Sequence, residues 1–184
     1  IVLVPEISRV GKQRLQTEGI EVPVELNPLV KKYFLKLPKP TLHDARSDED
    51  RILDALKDEH GRSGFVDFDV ARGIPIVLRE SDWAITTVMW GDKIIAIEAG
   101  DTTNRCFGFA VDIGTTKLAG FLVDLNKGSV VNVVARTNPQ IPFGEDVMSR
   151  IAFAITGGWN ALSELQKAVV SGINEMIEEC CKKG

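Results

Sequence analysis

The stretch 107–125 constrains the fold of this chain more than any other part of the sequence. Two apolar runs rich in β-branched residues lie within 107–117 and 118–125, and they flank a five-residue polar turn that contains one glycine. This pattern predicts a β-hairpin. A third strand is predicted over residues 129–136, and a helix is predicted after residues 138–140. The hairpin is therefore expected to open a three-stranded antiparallel sheet that leads into a helix.

The turn of this hairpin has the composition of an anion site. Asp112 ends the first run, and Gly114, Thr115 and Thr116 follow it. Successive backbone N–H groups in a tight turn form a concave phosphate site, and a carboxylate beside it suits the Mg²⁺ that accompanies nucleotide phosphates. Lys117 would add positive charge near a β- or γ-phosphate. Asp-x-Gly and Thr-Thr are also ordinary turn and strand residues, so the turn alone leaves both interpretations open.

Composition excludes several classes of function. With 44% hydrophobic residues and a net charge of −4, the chain has a globular composition and lacks the basic footprint of a nucleic-acid partner. No apolar run reaches the roughly 18 residues that a membrane span needs. Its three cysteines, Cys106, Cys180 and Cys181, form no C-x-x-C motif. They indicate a reduced, cytoplasmic protein and are too few for an iron–sulfur cluster.

Residues 24–104 predict a small α/β domain. Residues 31–37 alternate like a strand and end at a proline-rich stretch. Ser47 then supplies an N-cap, and three acidic residues follow it in the first turn of a predicted helix. Gly61 is expected to end that helix.

The next segment contains one ambiguous stretch and one clear hairpin. Residues 65–80 alternate like a strand at first and then show helical spacing, and we favour a helix beginning near Asp67. Residues 83–98 predict a β-hairpin across a Gly-Asp turn. Trp83 and Trp90 are expected on opposite faces, where they pack in the core and at its rim.

The C-terminal third predicts helices. Glu145 and Asp146 precede apolar residues at helical spacing, and acidic residues at a helix start are favoured by the helix dipole. Gly157 and Gly158 are expected to break the helix. A longer helix with one apolar face is predicted over residues 159–183.

The three strands, the Asp-x-Gly-Thr turn and the following helix resemble the opening of the actin, sugar-kinase and heat-shock-chaperone type of ATPase domain, which is ribonuclease H-like. Within that superfamily the chain most resembles the ATP-dependent reductive activators of corrinoid proteins. The resemblance runs along nearly the whole chain. The matching stretches together are specific for this family, although no single one of them is. The stretches that carry it are residues 4–9, 11–14, 27–32, 37–42, 99–103, 107–117, 138–140, 144–146 and 149–151.

The resemblance implies a domain organisation. Full-length members of that family carry an N-terminal [2Fe–2S] ferredoxin domain, a linker, a middle domain and a C-terminal actin-like ATPase domain. It implies a linker over residues 1–23, a middle domain over 24–104 and a truncated N-terminal part of the ATPase domain over 105–184. The chain also begins at Ile1 without methionine, as a fragment would. We therefore expect the cluster-bearing domain to lie upstream in a longer parent protein.

The resemblance also implies roles for single residues. Asp112 would organise the Mg²⁺ shell of ATP, and residues 114–116 would hold phosphate. Lys117 is the doubtful member, because many relatives continue with a third threonine there; if it points outward, it is merely solvated. In related sugar kinases a glycine followed by an acidic residue lines the acceptor cleft, which makes Glu145 and Asp146 candidates for a catalytic role.

The implied function of the parent protein is to return the cobalt(II) of a corrinoid protein to cobalt(I) at the expense of ATP. An actin-like site needs a second half that this sequence does not contain, so the fragment itself is expected to be inactive. An unfinished sheet edge and a bare apolar helix face also predict a homodimer. Two alternatives stay open: a sugar-kinase-like phosphotransferase, and a non-enzymatic docking or dimerisation module formed by residues 1–104.

Overall fold

The computed structural model describes residues 25–183, so the predicted linker over 1–23 lies outside the described residues. The chain divides into two compact units. The first comprises Glu25–Gly108 and Val123–Ser129; it is here called the β1–β4 unit after its strands β1 (Val30–Lys36), β2 (Phe65–Val66), β3 (Ala84–Trp90) and β4 (Lys93–Ala99). The second, the hairpin–helix unit, comprises Phe109–Leu122 and residues 130–183.

The β1–β4 unit is a four-stranded sheet covered by helices. Its strands lie in the order β1-β3-β4-β2, in which β1, β3 and β4 are antiparallel neighbours and β2 runs parallel to β4. The predicted small α/β fold is confirmed. The elements are β1 (Val30–Lys36), α1 (Asp48–His60), β2 (Phe65–Val66), α2 (Phe68–Ala71), α3 (Ile74–Glu80), β3 (Ala84–Trp90) and β4 (Lys93–Ala99).

Helix α1 begins and ends where its sequence predicts. The Ser47 side chain accepts a hydrogen bond from the Asp50 N–H at 3.0 Å, which satisfies one of the unpaired amides of the first turn. Gly61 takes a left-handed conformation with φ of 63°, and its N–H donates to the Lys57 carbonyl at 2.9 Å. The glycine is favoured there because other residues rarely adopt positive φ.

The ambiguous stretch 65–80 combines both patterns that its sequence shows. Two residues pair with β4 as the short strand β2, and Asp67 then caps α2 by accepting from the Asp69 N–H at 2.9 Å. The predicted helix start near Asp67 is therefore confirmed, although the helical region is divided into α2 and α3 around Gly73.

The predicted hairpin of residues 83–98 is confirmed as β3 and β4. The two tryptophans lie in different environments as expected: Trp83 is 6% exposed and Trp90 is 59% exposed. The core of the unit consists of buried apolar residues from every helix except α2 and from three strands. They are Leu35, Leu37, Ile52, Leu56, Ile74, Leu78, Trp83, Ile85, Met89 and Ile94.

The hairpin–helix unit contains the three-stranded sheet and the long C-terminal helix that the sequence predicts. The sheet has the order β5-β6-β7. Helix α4 is interrupted at Gly158, whose φ of 59° and ψ of −144° are not helical. The predicted break is therefore confirmed. The elements are β5 (Phe107–Ile113), β6 (Lys117–Asp124), β7 (Ser129–Thr137), a 3₁₀ turn (Ile141–Phe143) and α4 (Val147–Lys183).

The second half of α4 packs against the sheet, whereas its first half exposes apolar side chains. The core between sheet and helix contains Leu118, Leu122, Val134, Met176 and Cys180. A side chain on Gly120 would overlap the Phe109 ring and lie 2.9 Å from the Met176 methyl carbon, so this glycine permits the close packing. Among residues 25–183, no helix is both long and apolar enough to cross a membrane. The exposed apolar residues of the first half are Val147, Met148, Ile151, Ile155, Trp159 and Leu162.

Candidate functional site

The turn between β5 and β6 lies where the sequence predicts the anion site. Gly114 donates its backbone N–H to the Lys117 carbonyl at 2.9 Å, which closes a tight turn over Thr115 and Thr116. A Cβ atom on Gly114 would lie 2.8 Å from the same carbonyl oxygen. Only glycine therefore fits this position without a shift of the backbone.

All three carbonyl groups of the turn point into the protein, where they accept hydrogen bonds. The Gly114 oxygen accepts from Asn138 Nδ2 at 2.8 Å, and the Thr115 oxygen accepts from Arg150 Nη2 at 2.6 Å. The Thr116 oxygen accepts from the Asn138 N–H at 2.8 Å. Two residues distant in sequence therefore fix the path of the turn.

The backbone N–H groups of Thr115 and Thr116 have no hydrogen-bond acceptor in the part of the chain that the structure describes. The peptide bonds are trans, and a trans peptide group places its N–H opposite its C=O. Because the carbonyls of Gly114 and Thr115 are held from inside, the two N–H groups that follow them face the other way. This arrangement provides two adjacent donors for an anion.

Asn138 and Arg150 are the residues of this site whose roles the sequence analysis missed. Asn138 is 1% exposed and Arg150 is 9% exposed. The Asn138 side-chain oxygen accepts from the Gln140 N–H at 2.9 Å, and Arg150 Nε donates to the Gly144 carbonyl at 2.9 Å. The available signal was a polar residue directly after a strand and an arginine among apolar helix positions.

Asp112 and Lys117 flank the turn on either side. The Asp112 carboxylate is exposed at the end of β5 and has no hydrogen-bond or ion-pair partner among the described residues. It is therefore free to bind a cation or the water shell of one. Lys117 is half-buried at the start of β6. Residues 25–183 contain no cluster of three or more His, Cys, Asp or Glu side chains placed to hold a metal ion. Magnesium is commonly held by one or two carboxylates together with substrate phosphates.

Asp146 caps the start of α4. Its carboxylate accepts from the Ser149 N–H at 2.7 Å, and the Ser149 hydroxyl accepts from the Asp146 N–H at 3.2 Å. The hydrogen bond from the Ser149 N–H, followed by the interaction of the carboxylate with the Ser149 hydroxyl, is the main reason that the pKa of Asp146 lies below its usual range. Glu145 is exposed beside it. Capping accounts for Asp146, and the catalytic role of both residues stays a prediction.

The cysteines do not fit an iron–sulfur cluster. The sequence supplies three, and such clusters are usually held by four thiolates. Cys106 and Cys180 are buried, and burial raises the pKa of the Cys106 thiol. These cysteines therefore behave as structural residues.

Two family models match the chain. One is described as the RACo linker region and matches residues 19–104, and the other is described as the RACo middle region and matches residues 107–184. The model for residues 19–104 is called a linker, whereas the sequence analysis predicts a middle domain over 24–104. The model for residues 107–184 is called a middle region, whereas the sequence analysis predicts the start of an ATPase domain there. The predicted domain limits stay a prediction.

Two characterised proteins are similar to this chain. The corrinoid activation enzyme RamQ of Eubacterium limosum is 36% identical over 97 residues, which cover 52% of this chain and 16% of that enzyme. A solved structure described as a reductive activator for corrinoid, iron–sulfur protein is 35% identical, with a TM-score of 0.70. The match covers 90% of this chain and 27% of that one, so the chain spans only a minor part of either relative. The mixed α/β fold is that of the solved activator, and the chain belongs to the RACo family, whose linker and middle models together match residues 19–104 and 107–184.

Proposed function

We propose that this chain is part of an ATP-dependent reductive activator that returns the cobalt(II) of a corrinoid protein to cobalt(I). The observation that carries this proposal is the 35% identity to a reductive activator over 90% of the chain. The curated relative, named for corrinoid activation, supports it. The partner is accordingly a corrinoid protein, and the reaction takes place in the cytoplasm.

The turn between β5 and β6 is the part of the ATP site that this chain contributes. The free N–H groups of Thr115 and Thr116 bind phosphate oxygens, and the threonine hydroxyls add further donors. Asp112 holds Mg²⁺ directly or through water, and Lys117 adds positive charge at its edge. When bound, ATP supplies the free energy for a reduction that is uphill from a cellular ferredoxin.

The electron comes from another part of the parent protein. A [2Fe–2S] cluster needs more thiolates than the three in this chain, so we place it in a ferredoxin domain of the parent. The second half of an actin-like nucleotide site lies elsewhere as well. This chain alone therefore binds ATP weakly and does not hydrolyse it.

Calorimetry with ATP and Mg²⁺ tests the proposed site, on the full-length parent and on this chain. We expect binding by the parent alone, weakened at least about tenfold by Asp112→Ala. Asp92→Ala is the matched control, because Asp92 is also an exposed aspartate at a hairpin turn. Tight binding by this chain alone would show that the site is complete without a second half. No binding by the parent would remove the nucleotide proposal.

The exposed apolar face of α4 supports a second proposal, that the parent forms a homodimer. Met148, Ile155 and Trp159 are 72%, 78% and 85% exposed. Contiguous apolar surface of this kind marks an interaction site in soluble proteins. In sedimentation velocity, Trp159→Ser should convert a dimeric parent to a monomer, whereas Leu42→Ser, at a fully exposed leucine of the other unit, should leave the dimer intact. A monomeric unsubstituted parent would refute this proposal.

A further inference from the structure

We propose that Asn138 and Arg150 are positioning residues for the phosphate site, and that Arg150 supplies positive charge to the bound phosphate through the Thr115–Thr116 peptide group. This inference rests on the phosphate site proposed above. It assigns the electrostatics of that site to two buried residues that would not touch the nucleotide.

The two free N–H groups belong to peptide groups whose carbonyls are hydrogen-bonded from behind. The N–H of Thr115 shares its peptide group with the Gly114 carbonyl, which accepts from Asn138 Nδ2 at 2.8 Å. The N–H of Thr116 shares its peptide group with the Thr115 carbonyl, which accepts from Arg150 Nη2 at 2.6 Å. A hydrogen bond to the oxygen of an amide polarises the group and makes its N–H a stronger donor. The hydrogen bonds from Asn138 and Arg150 therefore orient the N–H groups of Thr115 and Thr116 and make them stronger donors.

Arg150 is a buried cation that donates no hydrogen bond to a carboxylate among the described residues, although its charge contributes a little to the lowered pKa of Asp146. Its guanidinium donates to three neutral oxygens, those of Thr115 at 2.6 Å, Gly144 at 2.9 Å and the Gln140 side chain at 3.3 Å. No carboxylate oxygen lies within 4.0 Å of it among the described residues. A buried charge is costly unless an opposite charge compensates it. A phosphate on the far side of the Thr115–Thr116 peptide group would provide that compensation.

Arg136 in the same unit provides the contrast. Its guanidinium pairs with the carboxylates of Glu175 and Glu179. Its charge is already neutralised by its own surroundings, and it makes no contact with the turn. Arg136→Gln is therefore the matched control for loss of a positive charge.

Three substitutions separate the charge of Arg150 from its structural contacts. Arg150→Gln removes the charge, whereas Arg150→Lys keeps it. Gln140→Glu leaves Arg150 in place and puts a carboxylate where the Gln140 oxygen now accepts from Nη1 at 3.3 Å. Gln140→Glu also loses the hydrogen bond from Nε2 to the Leu165 carbonyl at 3.0 Å, so Gln140→Leu, which loses the same donor without adding a charge, is its control. A merely structural role for Arg150 predicts equal affinity in Gln140→Glu and Gln140→Leu.

The experiment is calorimetric titration of the full-length parent with ATP and Mg²⁺, with the thermal midpoint of each ligand-free variant measured alongside. We expect Arg150→Gln to weaken binding by about tenfold or more, and Gln140→Glu to weaken it by about threefold to tenfold. Arg150→Lys keeps the charge but not all three guanidinium contacts, so it should bind ATP more tightly than Arg150→Gln does. Arg136→Gln should bind like the unsubstituted protein.

The outcomes separate this inference from the proposal on which it rests. If the unsubstituted parent does not bind the nucleotide, both are overturned. If the parent binds and both Arg150→Gln and Gln140→Glu bind equally well, only the role of Arg150 is overturned. If Arg150→Gln does not fold, Gln140→Glu decides, and affinity equal to that of Gln140→Leu refutes the transfer of charge through the peptide group.

Discussion

In the β1–β4 unit, buried positive charges meet carboxylates of the same unit. Arg51, which is 1% exposed, donates to the Asp44 carboxylate at 2.5 Å, and Lys32 lies 2.6 Å from the Glu98 carboxylate. In the hairpin–helix unit, the buried Arg150 meets only neutral oxygens. Buried charges of the first unit are therefore paired with carboxylates, whereas in the second unit no carboxylate among the described residues lies within 4.0 Å of Arg150.

The apolar surfaces of the two units differ in the same way. The helices of the β1–β4 unit bury Ile52, Leu56 and Leu78 against its own sheet. The first half of α4 instead leaves Ile155 and Trp159 in solvent. The β1–β4 unit also exposes apolar side chains, among them Leu42, Phe68 and Trp90, so the contrast is confined to its buried helix faces and the exposed apolar face of α4.

Among the substitutions that test this comparison, we expect the largest loss of stability from one in the core of the β1–β4 unit. Leu56 is fully buried, so Leu56→Ala should lower the free energy of unfolding by about 3 kcal/mol through lost burial and a cavity. Urea unfolding followed by tryptophan fluorescence measures it, in the Trp159→Phe background so that the remaining tryptophans, Trp83 and Trp90, both lie in this unit. Leu42→Ala is the control, because Leu42 is fully exposed and its loss should change stability by less than about 0.5 kcal/mol. Equal effects of the two variants would contradict a self-contained core.

The next effect concerns the charge network of that unit at low pH. Hydrogen bonds from Arg46, and then from Arg51, hold the pKa of Asp44 far below its usual range. A carboxyl group whose pKa is lower in the folded state adds stability above its unfolded pKa, and that stability is lost as pH falls below about 4. Asp44→Asn should therefore lower the urea midpoint at pH 7 and reduce its decline between pH 7 and pH 3.

Asp69→Asn is the matched control for this pH dependence, since Asp69 is exposed and has no ion pair among the described residues. Its urea midpoint should follow that of the unsubstituted chain throughout. If Asp44→Asn keeps the full decline between pH 7 and pH 3, the Asp44 network does not stabilise the unit as argued.

The comparison also shows what the sequence could predict. The strands, α1 and the turn at Gly114 depend on local features such as alternation, the Ser47 cap and a glycine with no space for a side chain. Such features act within a few residues, so the sequence displays them directly. The stretch 65–80 was ambiguous because a two-residue strand, a cap at Asp67 and two short helices follow one another within it.

The two residues that support the turn of the candidate site, Asn138 and Arg150, could not be predicted from local features. Asn138 lies 24 residues from Gly114, and Arg150 lies 35 residues from Thr115. Their hydrogen bonds form only when β7 and α4 have packed beside the hairpin turn. No local pattern distinguishes an arginine that donates to a distant carbonyl from one that is exposed on a helix. The sequence therefore indicates the residues of the proposed phosphate turn and misses those that support the turn.

The smallest effect concerns Asp146, which is either a cap or a catalytic group. Asp146→Ala removes the acceptor of the Ser149 N–H and should lower the thermal midpoint by about 4 °C, whereas Asp146→Asn keeps an acceptor oxygen and should change it little. If Asp146 only caps α4, Asp146→Asn leaves ATP turnover by the parent within about twofold. If it acts as a general base, the same variant should lose about 100-fold in turnover with its stability intact. Because the amide preserves the cap and removes the base, this one variant decides whether the start of α4 belongs to the supporting structure or to the chemistry.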